Sequence, residues 1–444
     1  MDYKELAGQL VKKCLKKGAD AAEIYIQSSR NLSMQVRNGD IETVEEAATY
    51  GAGFRVFVKE KMAFSSSNDF SEKALDDAAG RAIEFAKITT PDSNNALPED
   101  KEITDVAGLY DPQIAQIPMD DKIALAKKVE KLAMKDPRIT TSDGAYYGEG
   151  EEEVYIANSN GLLKSYKSSG SYLGVSVVAE KGEQKCTGQE GCMRRFYKDL
   201  KPAEEVADKA ARKAYEMLDP KPIKTQKVAV IFDPEVAISI LAGILGAVNG
   251  EHILQGASFL AGKLNQAIGS ELITLIDDGT QEKGLASAPF DGEGVPTQKR
   301  IIVDKGVLKG FMYNTIVAKR AGVKSTGNAE RGGFTSLPVI GPHNFYMAAG
   351  KASPEDIIKA TKVGLLVKEV TGYGINRING DFSGGAEGFW IEDGKIAFPV
   401  KGLTIGGTAS EILNGIDMVG NDLDLNRTMT TPTFRVKLLQ IGGE

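Results

Sequence analysis

Histidine is nearly missing from this chain: its 444 residues contain two, His252 and His343. A catalytic zinc normally takes three protein ligands from His, Cys and carboxylate, commonly with two of them close together on one helix. Glu251-His252 has no second histidine at helical spacing, so an ordinary surface or core role is expected of both imidazoles. Cysteine is scarce too. Cys14, Cys186 and Cys192 are odd in number and widely spread, which fits a reducing compartment better than a disulfide framework, and none forms a C-x-x-C pair. No G-x-S-x-G elbow occurs, and a serine triad would have to recruit one of the two histidines. Residues 256–264 imitate a P-loop, but one residue too many separates the glycines, and Leu264 stands where Ser or Thr belongs. Gly51-Ala52-Gly53 lacks the third glycine of a dinucleotide fingerprint and sits in a strand context.

Positive charge is also in deficit. Lys and Arg number 54 against 61 Asp and Glu, giving a net charge of -7. No basic face is available to neutralise phosphates, so neither nucleic acid nor an anionic membrane is an expected partner. The longest apolar run, 236–248, is shorter than the roughly 18 to 20 residues that span a bilayer, and it reads as a buried helix. The opening Met-Asp-Tyr-Lys-Glu-Leu shows no basic stretch followed by an apolar one, so a cytoplasmic protein is expected.

What is present is an ordinary globular composition, 42% apolar and 26% charged, in a chain too long for one core. Apolar residues at helical spacing predict helices over 2–17, 71–87, 120–134 and 202–218. Between them, strand-like segments at 22–27, 32–37, 53–58, 154–157 and 172–179, with turns at Asn38-Gly39 and Asn160-Gly161, read as antiparallel meanders. Residues 91–118 read as polar connection. Asp219-Pro-Lys-Pro222 is a rigid punctuation mark, so the boundary is placed there: an N-terminal domain over 1–218, a linker over 219–225 and a C-terminal domain over 226–444. Of the 49 glycines, 33 follow residue 225, which predicts a second domain rich in turns and close backbone approaches. Its marked hairpins turn at Lys305-Gly306 and Asp393-Gly394. Strand clusters and helices without βαβ alternation make the fold class α+β, with a sheet-and-helix first domain and a strand-dominated second.

Two acidic motifs invite a functional reading. Asp277-Asp278 could share a proton or hold a hard cation, but neighbours on a strand face opposite ways, so one buried cap and one solvated acid are expected. Residues 381–385 (DFSGG) suit a ligand-facing loop and an ordinary turn equally well.

Several segments resemble the TldD/PmbA family, described as modulators of DNA gyrase and as metalloprotease subunits. They are 270–278 (SELITLIDD), 284–298 (GLASAPFDGEGVPTQ), 322–328 (GVKSTGN), 380–392 (GDFSGGAEGFWIE) and 419–422 (VGND), with 51–58 and 158–161 in the first half. The resemblance is closest to the PmbA branch, also called TldE. In the TldD branch an H-E-x-x-x-H helix and a later cysteine hold the metal. Here the corresponding helix follows Asp233-Pro234-Glu235, and Leu241, Ala242 and Gly246 occupy the motif positions, while 421–431 contains no cysteine. The resemblance therefore implies a chain without metal, with zinc only in a TldD-like sister subunit. The pair would form a heterodimer whose cavity admits unfolded or short peptides, and gyrase modulation would be indirect. A stand-alone homodimer that binds peptides without cutting them, and an independent hydrolase, are the rivals. An extended peptide is best held by backbone hydrogen bonds at an exposed strand, with glycines allowing the approach. Gly384, Gly385 and Gly388 beside Asp381 and Ser383 are the expected peptide-binding residues, with Thr326 and Asn328 as a second group.

Overall fold

In the computed structural model, which describes residues 2–100 and 102–443, the chain opens with a helix where the apolar spacing demands one. The Asp2 carboxylate caps α1 (Tyr3–Lys16) by accepting from the N–H groups of Lys4 and Glu5, and Leu10, Val11 and Cys14 point to the core. Strands β1 (Ala21–Arg37) and β2 (Asp40–Val58) are joined through Asn38 and Gly39, both at positive φ (54° and 79°), as a tight hairpin turn requires. After β3 (Lys61–Ser67) come α2 (Glu72–Ile88) and α3 (Met119–Ala133). Strands β4 (Ile139–Asn158), β5 (Leu163–Lys181) and β6 (Gln184–Arg194) lead to α4 (Ala203–Tyr215).

The six strands form one antiparallel sheet in the order β3-β2-β1-β4-β5-β6. Its strands are far longer than the sequence suggests. The expected segments 22–27 and 32–37 are one strand of 17 residues, because Ser28, Ser29 and Arg30 between them continue the ladder. The reason lies in the two faces. Ile24, Ile26, Leu32, Met34 and Val36 of β1 point to the face covered by α1 and α2 at one end and by α3 and α4 at the other. The opposite face carries Gln27, Ser29, Asn31, Ser33 and Gln35, and among the described residues no helix of the domain lies on it.

The second domain begins with β7 (Gln226–Phe232), α5 (Pro234–Ala247) and α6 (Gly250–Leu254). Then come β8 (Leu275–Asp278), β9 (Lys299–Asp304), β10 (Val307–Leu308), α7 (Thr315–Ala321), β11 (Ala329–Glu330), β12 (Val339–Ile340) and β13 (Asn344–Met347). The chain continues through α8 (Pro354–Lys359), β14 (Val363–Ile375), β15 (Asp381–Glu392) and β16 (Lys395–Thr408). It finishes with α9 (Ala409–Gly415), β17 (Ile416–Val419), β18 (Met429–Thr430) and β19 (Phe434–Gly442). One sheet runs β16-β15-β14-β7-β19-β17, and β16 also pairs with β19, so five of its strands close on themselves as a small barrel. A second sheet, β10-β9-β8-β13-β18, shares a core with the barrel and α5 through Phe232, Ile240, Leu275, Val303 and Phe345. The fold is α+β in two domains.

The polar stretch 91–118 is more than a connection. Apart from one 3-10 turn its described residues form no helix or strand, yet it stitches the domains together: Thr104 donates its N–H to the Pro289 carbonyl, and Ala107 accepts from the Lys283 N–H.

Candidate functional site

Helix α5 forms for the reasons its first residues supply. Asp233 caps it by accepting from the Glu235 N–H, Pro234 takes the first helical position, and Lys368 and Lys213 anchor Asp233 and Glu235. Val236, Ile240, Leu241 and Ile244 enter the main core. Gly243 faces β14, where a Cβ would lie 2.6 Å from the Ile375 carbonyl oxygen. Leu241 is 1% exposed, Ala242 points to solvent, and Gly246 lies beside Arg377 with its carbonyl 2.8 Å from His252 Nδ1. The three motif positions thus face different surroundings.

Asp277 and Asp278 end β8, which lies between β9 and β13. The expected solvated acid is not there: both carboxylates are buried, because strands flank β8 on both sides and its two faces are covered. Asp278 accepts from the backbone and hydroxyl of Thr280 and pairs with Lys299 at 3.2 Å. Asp277 accepts from Asn328 Nδ2 at 2.7 Å and from the His343 N–H at 2.7 Å. Burial pushes its pKa up, while His343 and the bond from Asn328 work the other way. Asn328 accepts in turn from the Thr326 hydroxyl at 2.6 Å. Thr326 and Asn328 therefore look inward to a buried carboxylate, not outward to a ligand.

The segment 381–385 is a correction as well. It is neither loop nor turn but the start of β15, an interior strand: Gly384 pairs with Gly372 and Ile405, and Gly388 with Val367 and Val400. Its backbone hydrogen bonds are used, so a peptide cannot add to it as a further strand. The glycines serve their neighbours, since a Cβ on Gly388 would come 2.0 Å from the Leu366 carbonyl oxygen and one on Gly385 would come 2.4 Å from Thr371 Oγ1. Asp381 accepts from Asn379, and Ser383 is exposed. No hydrogen bond among the described residues joins this group to Thr326 and Asn328.

A buried charge cluster lies where the domains meet, and the sequence reading missed it. Glu23 of β1 and Arg55 of β2 are cross-strand partners on the helix-free face of the long sheet, at the end that the second domain covers. Arg55 donates to Glu23 at 2.7 Å and to Glu293 of the second domain at 2.8 Å, while Arg331 donates to the other Glu23 oxygen. Arg55, Glu23 and Glu293 are each 1% exposed or less. Burial opposes the guanidinium charge, but Glu23 and Glu293 outweigh it and hold Arg55 above its ordinary pKa. Asp291, beside them, is raised from 3.8 to about 7 by burial and then by Glu293, against three backbone N–H bonds that favour its ionised form. Gly51 and Gly53 have their explanation here. A Cβ on either would collide with Phe334 of the second domain, whose N–H donates to Gln27. Only the glycine pair hinted at this contact, because nothing in one sequence links Arg55 to a glutamate 238 positions away.

Three family models cover most of the chain: PmbA/TldA metallopeptidase domain 1 over residues 22–86, the central domain over 112–218 and the C-terminal domain over 225–443. The chain belongs to the PmbA/TldD family. It is 31% identical to the Metalloprotease PmbA of Escherichia coli O157:H7 across 96% of this chain and 93% of that protein. Among solved structures it is similar to a Bacteroides thetaiotaomicron protein described as a candidate modulator of DNA gyrase, with a TM-score of 0.92, 29% identity and full coverage of both chains. TldE from Thermococcus kodakarensis matches with a TM-score of 0.90 and 28% identity over 98% of this chain and 99% of that one.

The metal that the PmbA/TldD family implies finds no fitting donors on α5. Leu241 stands inside the apolar core, and Ala242 and Gly246 bring no ligand atom. Among the described residues no group of three or more His, Cys, Asp or Glu side chains is placed to hold an ion. His343 Nε2 lies 2.6 Å from the Gly327 carbonyl and His252 is held by Gly246, so both imidazoles have structural partners. Among the described residues no helix is long and apolar enough to cross a membrane.

Proposed function

We propose that this PmbA/TldD member is the subunit without metal of a TldD/TldE-type cytoplasmic protease. In this reading a TldD-like sister holds the zinc and cleaves unfolded or short peptides, and this chain supplies part of the chamber wall in a heterodimer. The observation that carries the reading is Leu241: where the sister's helix bears a ligand, this one places a core leucine at 1% exposure. A second support is the long sheet, whose polar face has no covering helix and is broad enough to line a chamber. Gyrase modulation is then indirect, through turnover of peptides that act on gyrase, and the acidic net charge offers no face for DNA.

The test measures zinc content and peptidase activity on unfolded casein for this chain alone, for an H-E-x-x-x-H sister alone, and for the two mixed, with mass determined in solution. The expected result is one zinc per mixed dimer and activity that needs the sister. Homodimers that persist in the mixture favour the stand-alone peptide-binding alternative, and cleavage by the pure chain overturns the reading.

A further inference from the structure

The chain has three thiols, and their surroundings differ. Cys14 and Cys192 lie among apolar neighbours, and burial pushes the first up to about 12 and the second above its ordinary value, so both stay protonated and inert. Cys186 on β6 is 5% exposed, but it faces a cation: Lys401 Nζ of β16 donates to its Sγ at 3.3 Å. The thiol itself donates to the Met217 carbonyl at 3.4 Å, which leaves the sulfur lone pairs to the lysine. The two residues belong to different domains and stand 215 positions apart. The linker beside them is pinned to the same strand, since the Lys221 N–H donates to the Pro399 carbonyl at 2.9 Å.

The backbone of β16 is shaped to aim that lysine. Val400 pairs with Gly388 and Leu403 with Ala386, so Lys401 and Gly402 together oppose the single residue Glu387 in a β-bulge. A Cβ on Gly402 would meet nothing within 4 Å, so glycine is needed there for its φ of 67° and not for space. Val400 and Leu403 keep their places in the barrel core on either side, and Lys401 points out of the barrel to Glu387 at 3.4 Å and to the thiol of the first domain. Burial opposes the ammonium charge, but the bond to Cys186 and the Glu387 carboxylate outweigh it and hold Lys401 above its ordinary pKa. The side chains of Lys401 and Glu387 are 29% and 34% exposed, so molecules of the size of water reach the pair from the lysine side.

A positive charge beside a thiol favours the thiolate, the form that attacks electrophiles, and a nitrogen beside a sulfenic acid can condense with it. We propose that Cys186 and Lys401 form a peroxide-sensitive modification site whose product is a covalent sulfur–nitrogen link between the two domains. In the first step the Cys186 thiolate attacks hydrogen peroxide: an S–O bond forms, the O–O bond breaks, and the released hydroxide takes a proton from the Lys401 ammonium and leaves as water. Glu387 is placed to relay that proton, and the loss of negative charge on sulfur removes one support of the ammonium. In the second step the neutral Lys401 nitrogen attacks the sulfenic sulfur. The S–N bond forms, the S–O bond breaks, and the hydroxyl takes a proton from nitrogen and leaves as the second water. Sulfur gives up two electrons, and peroxide is reduced to two waters. Excess thiol reverses the link by attacking the sulfur, which frees the amine, and a second thiol then restores Cys186.

The experiment treats the full chain with hydrogen peroxide, with and without dimedone as a trap for sulfenic acid, and maps its tryptic peptides by mass spectrometry. The expected product is a pair of peptides joined through Cys186 and Lys401, about 2 Da lighter than the sum of its parts and separated by dithiothreitol. The linked protein unfolds at a higher urea midpoint than the reduced one, because the link closes a loop of 215 residues. Lys401→Arg keeps a positive charge beside the thiol but offers no nucleophilic amine. In that variant Cys186 carries dimedone, no link forms, and peroxide does not raise the midpoint. Absence of the link in wild type, the same loss of mass in Lys401→Arg, or a link that leaves the urea midpoint unchanged overturns the proposal.

Discussion

Replacing Arg55 by methionine probes the domain junction directly. The guanidinium serves two buried carboxylates at 2.7 and 2.8 Å, so among the described residues its removal leaves Glu293 with the Thr315 N–H and Glu23 with Arg331. Removing one partner of a buried ion pair costs about 3 to 5 kcal/mol, because the remaining charge stays desolvated. Against a total stability of about 5 to 15 kcal/mol that is a large fraction. The chain's only tryptophan, Trp390, is buried in β15 and reports on the barrel, while far-UV circular dichroism reports on both domains. In urea, Arg55→Met is expected to lower the midpoint and to separate the two signals, with coincident transitions expected of wild type. Adding Glu293→Gln recovers at least about 1.5 kcal/mol, because a neutral pair no longer strands a charge. A loss under about 1 kcal/mol with coincident transitions refutes the reasoning. If the double variant shows no recovery, the cost came from packing of the arginine stem and not from charge.

Asp291 makes this junction sensitive to pH. Its folded pKa is raised from 3.8 to about 7, so its contribution to stability is full below about pH 4 and is lost as pH rises through 7. The stability advantage of wild type over Asp291→Asn, measured in urea, should therefore shrink between pH 5 and pH 8. Gly243→Val drives a side chain into the Ile375 backbone and should cost about 1 to 3 kcal/mol in thermal or urea unfolding, although valine removes a helix glycine. Asn328→Leu takes a donor from the buried Asp277 carboxylate and should cost about 1 to 3 kcal/mol, with the loss smaller at low pH where Asp277 is protonated.

Much of the architecture could be read from local chemistry. The helices follow from apolar spacing and caps such as Asp2, Ser71 and Asp233, and the hairpins from Asn38-Gly39, Lys305-Gly306 and Asp393-Gly394, each pair at positive φ. Strand lengths could not be read, because alternation is lost where both faces of the sheet are polar, as at Ser28-Ser29-Arg30, which lies between the two helix pairs on one face and bears no helix on the other. The reading of 381–385 as loop or turn failed because its glycines make room for neighbouring strands, a demand set by β14 and β16 and not by the segment itself. The buried pair at 277–278 looked half-solvated because the sequence does not reveal that β8 is an interior strand. The junction charges were invisible for the same reason: Glu23, Arg55, Glu293 and Arg331 become neighbours only after both domains have formed.

Barrel closure has a consequence for synthesis. Strand β7 lies between β14 and β19, partners roughly 130 and 200 residues further along, whereas the first sheet is two sets of hairpins, β1 to β3 and β4 to β6, joined by the one distant pairing of β1 with β4. On the ribosome the first domain can close its sheet as soon as β4 follows β1 out, while α5 waits with its apolar side uncovered for strands that end only near the last residues. Demand for chaperones should accordingly fall on the second half, whose ring of strands cannot shut until β19 reaches β16.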